Sequence, residues 1–66
     1  MGARITRIGL AGDLIEVNYN DNGTSDTITK SLPSKEAKLQ WLNMWWSDLS
    51  GGADHLERAI KKVKGE

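Results

Sequence analysis

At 66 residues the chain has room for one domain around one small core, since a chain this short buries only about 60% of the surface its unfolded form exposes. Nine basic and nine acidic residues cancel to zero net charge, which excludes strong long-range steering toward nucleic acid or an anionic membrane and leaves only a local basic patch to serve such a partner. Cysteine is absent, so disulfide staples, thiolate nucleophiles and Cys-type zinc sites are excluded together.

The N-terminal run MGARITRIGLAGD has no apolar stretch long enough for a signal peptide, and no window approaches the roughly 18 to 20 apolar residues of a membrane helix. The expected location is the cytoplasm, with no membrane association. Residues 4–10 are aliphatic and β-branched and stop at Ala11-Gly12-Asp13, which carries the glycine of a tight hairpin turn. Ile5 is odd while Ile8 and Leu10 are even, so a bulge near Arg7 is expected to shift the register of this first strand.

The second strand, residues 14–19, alternates cleanly: Ile15, Val17 and Tyr19 share one face, Glu16 and Asn18 the other. Asn20-Asp21-Asn22-Gly23 is a strong turn cluster, because Asn, Asp and Gly tolerate positive φ. A third strand then covers residues 26–32. Ile28, Lys30 and Leu32 lie on one side of it, and Thr27, Thr29 and Ser31 on a solvated outer side.

Pro33 and Ser34 announce a helix over residues 34–49, with Ser34 or Ser31 as N-cap. This helix holds all three tryptophans. At 100° per residue Leu39, Leu42, Trp45, Trp46 and Leu49 form a stripe that covers the sheet, flanked by Lys35 and Lys38, whose stems can lie on apolar surface. Ala37, Trp41 and Met44 form a second apolar strip with three competing fates: burial under the next helix, burial in a homodimer, or use as a partner patch.

Ser50-Gly51-Gly52 ends the helix, and Asp54 with Glu57 fits a capping box for a second helix over residues 55–64. Leu56, Ala59, Ile60 and Val63 give it an apolar face, and Gly65 a stop. The expected fold is therefore a single α+β domain over residues 1–66: a three-stranded antiparallel sheet over 4–32, followed by two helices packed on one face (βββαα).

Chemistry-bearing patterns are sparse. His55 is the only histidine, and its neighbours Asp54 and Glu57 are accounted for by capping, so it reads as a solvated residue of a first helical turn. Paired acids, a nucleophile with its base, and a phosphate-cradling loop are all missing from the sequence. A non-enzymatic protein without catalytic residues, metal or other cofactor is expected. A nucleic-acid partner would be met by Arg58, Lys61, Lys62 and Lys64 of the second helix with Arg4 and Arg7 of strand one. Against it, Asp54 and Glu57 stand four residues before Arg58 and Lys61, the spacing of a solvated, ion-paired helix.

The order of elements, Ser34, Glu36 and Trp41 in the pattern S-x-E-x-x-x-x-W, a glycine break, and Leu56-Glu57-Arg58-Ala59-Ile60 together resemble the small phage-encoded anti-CRISPR proteins that inhibit the type I-F surveillance complex. Tyr19 ahead of Asn22-Gly23 is similar to that family's strand ending in tyrosine before an Asn-Gly turn. The resemblance implies a phage or prophage protein of the host cytoplasm. It would bind the CRISPR effector along its repeated backbone subunits and block pairing of guide RNA with target DNA.

In that family the contact surface is the exposed face of the sheet, so Tyr19 carries over as a contact. Glu16 and Asn18 on the same strand, and Trp41 and Met44 on the helix, complete the candidate partner-binding residues. The chain departs from the family in having Ser31 where an acidic contact is expected, in reading one strand shorter, and in an alternation that puts Tyr19 on the core side. The alternatives are a small nucleic-acid-binding regulator and a homodimeric structural or assembly protein joined through Trp41 and Met44.

Overall fold

Two glycine turns set the first half of the fold. Strand β1 (Ala3–Ala11) and strand β2 (Leu14–Asp21) are joined through Gly12, whose φ of +60° at the first turn position is the type II′ pattern. Strand β3 (Thr24–Ser31) follows through Asn22 and Gly23, both at positive φ, the type I′ hairpin that Asn-Gly favours. The computed structural model describes residues 2–65 of the chain.

The register shift between Ile5 and Arg7 is the expected bulge. Thr6 is the extra residue, and its hydroxyl donates to the Asn18 carbonyl at 3.1 Å. The bulge brings Ile5, Ile8 and Leu10 onto one face, opposite Tyr19, Val17 and Ile15 of β2.

Ser34 caps helix α1 (Lys35–Met44), its Oγ accepting from the Ala37 N–H at 3.1 Å. The helix is shorter than the expected 34–49. At Trp45 it tightens into a 3-10 turn (Trp45–Asp48), where the Trp46 indole N–H donates to the Asn43 side chain and the Ser47 hydroxyl to the Met44 carbonyl. Leu49–Gly51 then forms strand β4, parallel to β1, with the Ser50 hydroxyl donating to the Gly2 carbonyl. The sheet is thus four-stranded and mixed, in the order β3-β2-β1-β4, rather than three-stranded and antiparallel. A three-residue strand has no alternation of its own, and its pairing with the start of the chain is invisible to local periodicity.

Helix α2 (Ala53–Lys64) starts without the expected capping box. Gly52, at φ +81°, turns the chain from β4 into the helix in one residue, and its carbonyl accepts the His55 and Leu56 N–H groups. Asp54 therefore lies inside the first turn and bonds Arg58 at 2.5 Å. Leu56 and Ala59 are buried against β1, Ile60 and Val63 pack beside them, and Gly65 closes the helix at φ +84°.

Both helices lie on the face of the sheet that carries Ile5, Ile15 and Val17, and with Leu42, Leu56 and Ala59 these residues are the core. The apolar stripe of α1 is rotated from the projected one. Trp41, Leu42 and Trp45 meet the core, while Trp46, placed in the stripe by projection, is exposed. The second strip divides likewise: Trp41 turns to the sheet instead of α2, and Met44 stays 68% exposed.

Candidate protein-docking surface

The opposite face of the sheet carries no helix. The register places Glu16, Asn18 and Asn20 of β2 in one row on it, between Arg7 of β1 and Thr27 and Thr29 of β3. Its polar side chains hold one another. The Thr27 hydroxyl donates to the Asn18 side-chain oxygen at 2.8 Å, and Arg7 pairs with Glu16 at 3.5 Å. Exposed ion pairs of this kind add little to stability, so their effect is to set side-chain direction. Leu14, 47% exposed, adds an apolar corner. The face is wide, polar and backed by regular strands, which suits recognition by many polar contacts.

Tyr19 does not belong to it. The resemblance implies an exposed contact and the alternation a core-side residue; Tyr19 stands on the helix side, 5.4 Å from the Trp45 ring. Trp41 meets Trp45 edge-on at 5.8 Å, so three aromatic rings run from β2 to α1. The Tyr19 hydroxyl points at Asp26 Oδ2, 3.5 Å away. Burial raises its phenol above the ordinary value, and the carboxylates of Asp26 and Asp21 push it the same way.

Tyr19 is the chain's only tyrosine, so an alkaline absorbance titration reads it alone. The midpoint is expected above about 10, moving down toward it in Asp26→Asn. The folded state favours the protonated phenol. This contribution to stability is therefore intact below about pH 10 and is lost as pH rises through the folded value. A midpoint at or below 10 would show that the aromatic row opens in solution.

Trp41, Met44, Trp45 and Asp48 on the helix side, with Ile28 and Lys30 of β3, line an open groove of about 300 Å3. The sequence reading named Trp41 and Met44 for it and missed Ile28 and Lys30. The signal that finds them is the hairpin register, which sets Ile28 opposite Val17 and Lys30 opposite Ile15, both buried beneath the helices.

The basic residues do not form one surface. Arg4 and Arg7 alternate onto the open face of the sheet, while Arg58 and Lys62 border a hollow with Ile8, Leu10 and His55 on the helix side. Lys61 and Lys64 are exposed on α2. Lys35 and Lys38 of α1, absent from the expected nucleic-acid set, come together with Lys62 around Leu10 and Gly12. The hydrogen bond from Arg58 holds the Asp54 carboxyl below its ordinary range. Among the described residues no helix is long and apolar enough to cross a membrane, and no group of three or more His, Cys, Asp or Glu is placed to hold a metal ion.

Searches of protein-family models, curated proteins and solved structures found no match to this chain. The fold and its surfaces define a small α+β domain with helices on one sheet face and the other face open.

Proposed function

We propose that this domain is a non-enzymatic protein-binding inhibitor that presents the open face of its sheet to a large partner and acts by steric occlusion. The observation that carries the reading is that face itself, three strands wide at Arg7, Glu16, Asn18, Thr27 and Thr29, polar and held in direction by its own hydrogen bonds and ion pair. The resemblance to type I-F anti-CRISPR proteins names the partner: a CRISPR effector complex of the host cytoplasm, whose target-DNA pairing the bound domain blocks. Within this reading Glu16 and Asn18 are contacts and Tyr19 supports the strand from behind.

A tagged domain incubated with a type I-F effector complex is expected to co-purify with it and to prevent its binding of target DNA. Asn18→Arg, which thrusts a charge into the middle of the face, should weaken capture at least about tenfold while circular dichroism stays unchanged. No capture by the wild-type domain, or equal capture by the variant, overturns the proposal.

A second reading rests on the convergence of Lys35, Lys38 and Lys62: binding of nucleic-acid phosphates. It requires retardation of nucleic acid in a gel that falls steeply with added salt; no retardation at low salt rejects it.

A further inference from the structure

Strand β3 is an edge of the sheet, and its sequence is complementary to itself. In a hairpin closed by a two-residue turn, the flanking pair Asp21 and Thr24 exchanges backbone hydrogen bonds, so the even-numbered residues of β3 bond to β2. The Leu32 N–H bonding to the Asp13 carbonyl at 2.8 Å continues the same parity. Ser25, Thr27, Thr29 and Ser31 therefore aim their backbone N–H and C=O groups at the outer edge. The Thr27 N–H meets the carboxylate of its own neighbour Asp26 at 2.8 Å, as an outward-pointing donor would.

We propose that this edge pairs antiparallel with β3 of a second copy of the chain, about a two-fold axis at Ile28. The sequence across the axis is Asp26-Thr27-Ile28-Thr29-Lys30. Laid against itself in reverse, it places Asp26 of each copy opposite Lys30 of the other and Thr27 opposite Thr29. The parity fits: Thr27 and Thr29 face each other as hydrogen-bonded pairs, and Asp26 and Lys30 meet at the closer non-bonded positions, where side chains interact most.

Sliding the register by two residues in either direction sets Asp26 or Lys30 against Ile28, so only this alignment satisfies both charges. It also joins two apolar grooves. Ile28 of each copy meets the other at the axis, between the Trp41 and Met44 of one protomer and those of its partner. The interface is isologous and closes as a dimer. Edge strands are normally shielded by charge; here the lysine that shields a foreign strand has its own counter-ion on the copy.

The inference stands apart from the inhibitor reading, because pairing at the edge leaves the open sheet face uncovered and doubles its width. Sedimentation equilibrium of the full chain from about 10 µM to about 1 mM is expected to show a monomer–dimer equilibrium. Asp26→Lys and Lys30→Asp, each setting like charges opposite one another twice, should raise the dissociation constant about tenfold or more, and the double swap should bring it back to within about threefold of wild type. Thr27→Pro, which removes an outward N–H without touching the backbone bonds to β2, should abolish the dimer while circular dichroism shows the monomer fold. A strict monomer throughout the range, a dimer indifferent to both single swaps, or a double swap no tighter than either single swap overturns the proposal.

Discussion

Gly52→Ala is expected to destabilise the domain by about 3 kcal/mol or more, enough to leave a chain with a total margin of about 3–10 kcal/mol largely unfolded near the bottom of that range. Two effects add. At φ +81° an alanine pays about 1–2 kcal/mol for a left-handed conformation. Its Cβ would also fall onto the backbone carbonyl of Ile5, which neither rotates nor retreats without opening the bulge of β1. Gly65→Ala is the control, because Gly65 has nearly the same φ, +84°, and a Cβ there meets open space. It should cost only the conformational part, about 1–2 kcal/mol. Denaturant melts of the two variants separate the terms, and equal losses would mean that the approach of α2 to β1 is looser than described.

Trp45→Ala should cost about 3 kcal/mol, and its neighbour Trp46→Ala less than about 1 kcal/mol. Trp45 joins Tyr19 to Trp41 and packs on the core, so its removal opens a cavity between α1 and β2 and leaves the Trp41 edge without a ring to meet. Trp46 is 40% exposed, and its indole N–H bonds only to Asn43 one turn back. Urea melts followed by far-ultraviolet circular dichroism measure both. Similar losses at the two positions would contradict the rotation of the α1 stripe.

The two tryptophans show why part of the fold is hard to read. A projection at 100° per residue assigns both to the covering stripe, since they stand about 100° apart and either side of Leu42 can be buried. Which side faces the sheet depends on where α2 lies, and α2 occupies the ground over β1. The tryptophans on the other flank, Trp41 and Trp45, are left to cover β2 and β3. The capping box of α2 failed for a related reason: Asp54 and Glu57 have the right spacing, but Gly52 already supplies the turn and starts the helix ahead of them.

The candidate surface was legible in the same measure. Alternation in β2 identifies Glu16 and Asn18 as outward and Tyr19 as inward without any knowledge of the fold, because a period of two leaves no third choice. The resemblance that offered Tyr19 as an exposed contact had to give way to that period. Ile28 and Lys30 entered the groove only through the pairing of β3 with β2, and the meeting of Lys35, Lys38 and Lys62 only through the packing of α1 beside α2.

By itself the sequence determined what short-range chemistry can encode. It placed the two hairpin turns at Gly12 and at Asn22-Gly23, the bulge that reconciles Ile5 with Ile8 and Leu10, the Ser34 cap, and the apolar face of α2. Each depends on residues within a few positions of one another. Only the tertiary structure decided the fourth strand, the end of α1 at Met44 and the face that α1 turns inward. The physical reason is common to all three. Leu49–Gly51 becomes a strand because Ala3 and Arg4 lie beside it, some 46 residues away in the chain, and forming that pair draws the tryptophan segment out of the helix and sets the position from which α2 begins.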